Sequence, residues 1–111
     1  MVDIDQETGQ KIQDLQILEQ NFQNISMQRQ AFQIELNETS TALEEVGKAK
    51  GDVFRVLGQV MVKSDKSELK KELKEKKDLL ELRIKAIEKQ DLSLRENIER
   101  LRGEIVNKIH G

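Results

Sequence analysis

Two long stretches of the chain place apolar residues at alternating steps of three and four. The first ladder runs through Leu15, Leu18, Phe22, Ile25, Arg29, Phe32, Leu36, Thr39, Leu43 and Val46, and eight of its ten positions are apolar. The residues between are mostly Gln, Glu, Asn and Ser. Such a narrow stripe is a coiled-coil seam rather than the broader face of a helix in a compact core. Ile12 extends the seam backwards, and Gly47 and Gly51 bracket the expected stop, since glycine tolerates the left-handed conformation that ends helices. The second ladder runs through Leu73, Lys77, Leu80, Ile84, Ile87, Asp91, Leu94, Ile98, Leu101 and Ile105, again apolar at eight of ten. Asp65, followed three residues later by Glu68, is a capping pair for its start. Glu72–Lys76 and Glu81–Lys85 are the four-residue charge spacings of an exposed helix face. The pattern predicts helices over 8–47 and 66–109.

About forty residues of helix span about 60 Å, and each seam has to be covered. Folding one helix back on the other as an antiparallel hairpin does this within one chain. A midpoint near residue 58 sets Leu15 beside Leu101 and brings both termini to one tip. The two polar seam residues of the second helix are Lys77 and Asp91. Asp91 is expected either to fix the alignment of the helices or to tilt outward.

Between the helices, residues 53–63 read VFRVLGQVMVK. They are rich in β-branched residues and interrupted by Gly58-Gln59, a pair suited to a two-residue type II′ hairpin turn. That turn sets Leu57 opposite Val60 and Arg55 opposite Val62 on one face, with Phe54, Val56 and Met61 on the other. Both faces are then largely apolar. A lone two-stranded hairpin is marginal in water, and one with two apolar faces and open edges would aggregate. Val53, Phe54, Val56, Leu57, Val60, Met61 and Val62 are therefore the candidate oligomerisation residues, completing a sheet or barrel with other hairpins.

Composition narrows the chemistry. The 111 residues include no Cys, no Pro, no Trp, no Tyr and one His, and 36% are charged. Disulfides, thiolate metal sites, cysteine nucleophiles and multi-histidine metal centres are excluded. There is no Gly-x-x-x-x-Gly-Lys-Ser/Thr nucleotide loop. No catalytic residue, no metal and no cofactor is expected, so the chain does not read as an enzyme. Residues 1–50 carry 9 acidic and 4 basic groups, and residues 51–111 carry 12 and 15, within a net charge of −2. This balance does not suggest a nucleic-acid partner. No apolar run reaches the roughly 20 residues of a membrane span and no signal peptide opens the chain, so a cytoplasmic location without membrane contact is expected.

The stretch VFRVLGQVMVKSDKSELKKELKEKKDLLELRIKAIEKQ, Val53 to Gln90, resembles the β-class subunit of prefoldin, the holdase chaperone of archaea and eukaryotes. It shares the family's aromatic-basic-apolar-Gly-apolar-Val-Lys hairpin followed by a Lys/Glu-rich helix start. The Gln-rich LQILEQNFQNISMQRQAFQIEL of the first helix is also similar, and the likeness spans roughly residues 8 to 109. Gln59 stands where Asn or Pro is expected, and Phe54 where Tyr is common. The α class carries two hairpins, for which residues 48–66 have no room. The resemblance implies an all-α dominated fold, an antiparallel two-helix coiled coil joined by one β-hairpin. It implies a single domain over residues 1–111 and a hexamer of two α-class and four β-class chains whose hairpins form β-barrels. It also implies an ATP-independent chaperone that captures unfolded proteins at the coiled-coil tips and transfers them to a group II chaperonin. Met1, Val2, Ile4, Ile12, Ile105, Val106 and Ile109 are the apolar residues at the tip and the candidate client-binding set. Ordinary closure of the seam is the competing reading, for Ile12 and Ile105 above all. A passive coiled-coil scaffold or dimerisation module is the alternative for the whole chain, and it leaves the β-hairpin without a purpose.

Overall fold

A computed structural model describes residues 5–110. The element order is α1 (Gln6–Lys48), β1 (Val53–Leu57), β2 (Val60–Ser64) and α2 (Lys66–His110). Both helices start in the same way. The Asp5 carboxylate accepts the Thr8 N–H at 2.7 Å, and the Asp65 carboxylate accepts the Glu68 N–H at 3.1 Å. In each case an aspartate side chain takes up an amide that the first helical turn leaves without a partner. Asp65 is the cap expected from the sequence.

The chain divides into two units, residues 1–30 with 85–111 and residues 31–84. In the first, residues early in α1 meet residues late in α2. Lys11 pairs with Glu104 at 3.4 Å, Glu19 with Arg102 at 3.4 Å and Asp5 with Lys108 at 3.3 Å. The helices there are antiparallel, as the seams require. Their core is Ile87, Ile98, Leu101 and Ile105, all buried. Thr8 is buried as well, so the seam of α1 continues one step beyond Ile12. Phe22, half-buried on the α1 ladder, has the Arg95 guanidinium over its ring at 5.3 Å. The pairing of two helices leaves Phe22 half-buried, and a cation over its ring adds cover to the face that remains.

In the second unit Leu80 and Ile84 are buried, and Arg83 covers Phe32 at 5.8 Å. Glu35 reaches Lys76 at 3.1 Å. Every position of both ladders is buried or half-buried, so the three-four periodicity marks the packed face of each helix. Burial of each large aliphatic side chain stabilises by about 1.5–3 kcal/mol.

Helix α1 ends at Lys48, between Gly47 and Gly51 as expected, but not through a left-handed glycine. Gly47 is inside the helix, and neither it nor Gly51 adopts a left-handed conformation, since Gly58 alone among the described residues has a positive φ. The last turn closes through the Ala49 N–H on the Glu45 carbonyl at 3.0 Å, and the Lys66 ammonium donates to the Ala49 carbonyl at 2.6 Å. A lysine at the start of α2 thus does what a glycine cap would otherwise do.

Candidate functional site

β1 and β2 pair antiparallel in the register Val53↔Ser64, Phe54↔Lys63, Arg55↔Val62, Val56↔Met61 and Leu57↔Val60. Gly58 has φ of 62°, and no other residue of the turn has a positive φ. A positive φ at the first turn position alone is the type II′ geometry, whose twist matches that of the strands. The register sets Leu57 opposite Val60 and Arg55 opposite Val62, with Phe54, Val56 and Met61 on the other face, the arrangement read from the sequence.

The strands form a sheet of two, and most of its apolar side chains face solvent. Val56, Leu57, Val60 and Met61 are 65%, 57%, 60% and 67% exposed, and Phe54 and Val62 are 49% and 44%. Val53 differs: its own chain buries it, so the first residue of β1 anchors the sheet rather than joining the exposed set. Two contacts unforeseen from the sequence steady the hairpin. Arg55 forms a salt bridge with Glu72 on α2, and Lys63 reaches Asp52 at 3.5 Å. Arg55 and Glu72 are seventeen residues apart, beyond the reach of a local pattern. The result is a braced platform with six exposed apolar side chains and two open backbone edges. Chemically it can bury against another apolar sheet and extend strand pairing, and its charged side chains Arg55 and Lys63 are each engaged in an ion pair with a carboxylate of the same chain. Among the described residues no group of three or more His, Cys, Asp or Glu is placed to hold a metal, and no helix is long and apolar enough to cross a membrane.

The other candidate residues that the structure describes lie at the start of α1 and the end of α2, which the Lys11–Glu104 and Asp5–Lys108 pairs bring together. Ile105 is buried in the seam, Ile12 and Ile109 are half-buried, and Val106 is 52% exposed. Met1, Val2 and Ile4 lie outside the described residues. Helix α2 continues to His110, and the Lys11–Glu104 and Asp5–Lys108 ion pairs join the two helices at this end. Of the described candidates, Val106 alone presents most of its surface to solvent.

Comparison with known proteins sets these features in a family. A family model described as "Prefoldin subunit" matches residues 9–111. The chain belongs to the prefoldin family. It is 38% identical over 85 residues to a prefoldin subunit beta of Thermococcus onnurineus, covering 75% of this chain and 73% of that one. It is 32% identical over 101 residues to a prefoldin subunit beta of Saccharolobus islandicus, covering 89% and 80%. The crystal structure of the prefoldin beta subunit from Thermococcus strain KS-1 superposes with a TM-score of 0.89 at 30% identity, covering 100% of this chain and 99% of that one. The beta2 subunit from the same strain, at 17% identity and a TM-score of 0.69, shares the fold. The prefoldin family is one of chaperone subunits and not an enzyme family, and the β-class resemblance of the sequence agrees with these relatives.

Proposed function

We propose that this prefoldin chain acts as one subunit of an ATP-independent holdase, assembling through its hairpin with α-class and further β-class chains in a hexamer of two and four. In this reading the hairpins close into β-barrels, unfolded proteins are held at the ends of the helix pairs, and the cargo passes to a group II chaperonin in the cytoplasm. The observation that carries the proposal is the hairpin, with six large apolar side chains exposed on a sheet of two strands. A spacer or simple dimeric coiled coil has no use for such a surface, and in water it favours association. Capture at the helix ends rests on Val106 and on the neighbouring Ile109. Contacts of this size are weak singly and add up when several subunits present them together.

The test is suppression of aggregation of a chemically unfolded protein on dilution, followed by light scattering without nucleotide. The parent assembly is expected to suppress scattering. Val60→Asp with Val62→Asp, which bars the hairpin from a packed sheet, is expected to lose that protection at equal chain concentration. Equal protection by the double variant would detach holding from assembly.

A further inference from the structure

Within the unit formed by residues 1–30 and 85–111, each ladder carries one charged residue, Arg29 on α1 and Asp91 on α2, and the structure brings them together. Asp91 is 7% exposed, and its Oδ2 lies 4.0 Å from Arg29 Nη1 and 3.1 Å from Arg95 Nε. Its other oxygen, Oδ1, is buried with no hydrogen-bond partner among the described residues. A carboxylate held in an apolar seam with half of its acceptor capacity unused is a poor choice for stability, since an apolar residue of similar size would pack there without loss. Its use has to lie elsewhere.

We infer that the Arg29–Asp91 pair is a partner-choice device, which commits the seam of α2 to α1 and bars either seam from pairing with its own kind. Both ladders are regular enough to form coiled coils with copies of themselves. In a parallel pair of like helices, equivalent heptad positions face each other. A pair of α2 helices would then bury Asp91 against its counterpart, and Lys77 against its own. A pair of α1 helices would bury Arg29 against Arg29. The α1–α2 pairing, by contrast, sets opposite charges together. Arg95 lies on the same helix as Asp91 and accompanies it into any pairing, so it softens the burial without discriminating; the discrimination comes from Arg29. Specificity of this kind resides in what it does to the wrong partner. It matters wherever several copies of the same two helices lie close, and it does not depend on how clients are held.

The chain has no cysteine, so a single introduced thiol reports pairing directly. Leu94→Cys places the thiol on the α2 seam. In the hairpin it faces α1 and finds no second thiol, and in a parallel α2 pair it meets its counterpart within disulfide reach. Full-length chains carrying Leu94→Cys are unfolded in urea, refolded at one fixed concentration, oxidised and resolved without reductant. Three backgrounds are compared: the parent, R29L/D91L, and the charge exchange R29D/D91R. The leucine pair is expected to keep its helicity, to melt at a higher temperature and to raise the disulfide-linked dimer several-fold over the parent. The charge exchange, which restores opposite charges across α1 and α2, is expected to return to the parent level. A leucine pair no more linked than the parent overturns the inference, as does a charge exchange linked as heavily as the leucine pair. All backgrounds keep the hairpin intact, so association through the sheet is common to each of them.

Discussion

Ile87 and Lys85 are two residues apart on α2, yet one is 6% exposed and the other faces solvent. The difference is the ladder, and it has a thermodynamic consequence. Ile87→Ala removes buried methyl groups and leaves a cavity, an expected loss of about 2–4 kcal/mol. Lys85→Ala is expected to change stability by no more than about 0.5 kcal/mol. Thermal or urea melts of the two variants check this, and equal effects would place the seam on the wrong residues. Asp5 offers a second test at this scale. Hydrogen bonds from Thr8, with Lys108 at 3.3 Å adding to them, lower its pKa from 3.8 to about 2. A folded value below the unfolded one stabilises the cap fully above the unfolded pKa, and that contribution is lost as the pH falls toward 2. The Thr8 amide resonance is expected to titrate with a midpoint near 2, and Asp5→Asn to abolish the titration. A midpoint at 3.8 would mean that the carboxylate does not hold the helix start.

At the scale of elements, the hairpin and the helices are separable. Val60→Asp with Val62→Asp changes exposed residues of β2, so far-UV circular dichroism is expected to keep most of its helical signal. A collapse of helicity would show the sheet to be a structural keystone rather than a surface. Both seams and the strand register were legible in the sequence because each is written in a short period: three-four spacing for the helices, and alternation around Gly58-Gln59 for the strands. Asp65 was legible because a cap acts on the amide three residues on. What escaped the sequence depends on residues far apart in the chain. The stop of α1 falls between Gly47 and Gly51 as read, but the Lys66 ammonium that takes up the Ala49 carbonyl comes from seventeen residues on. The burial of Val53 and the Arg55–Glu72 pair likewise depend on tertiary placement. The Arg29–Asp91 contact lay between the two cases: Asp91 stood out as a charge in a seam, but its meeting with Arg29 required the alignment of the two helices. At the terminal end of the unit the ladder already distinguishes Ile105, on the seam, from Val106 beside it, and the structure buries the first and exposes the second.

For the whole molecule, the proposed function assigns both holding and assembly to apolar contact, in keeping with a net charge of only −2 and helix faces of mixed charge. Under the proposed function, Val106→Asp is expected to weaken protection of an unfolded client while the oligomer persists. Added salt is expected to change capture little, since screening acts on charges and not on apolar burial. Strong loss of capture at high salt would move the grip to the charged helix faces. The central claim, that the exposed hairpin is an assembly surface, is tested most directly by the native mass of the chain co-expressed with an α-class prefoldin chain. A mixed complex of two α and four β chains is predicted for the parent, and a single-chain mass for Val60→Asp with Val62→Asp. A parent that remains a lone chain, or a double variant that assembles as the parent does, would contradict it.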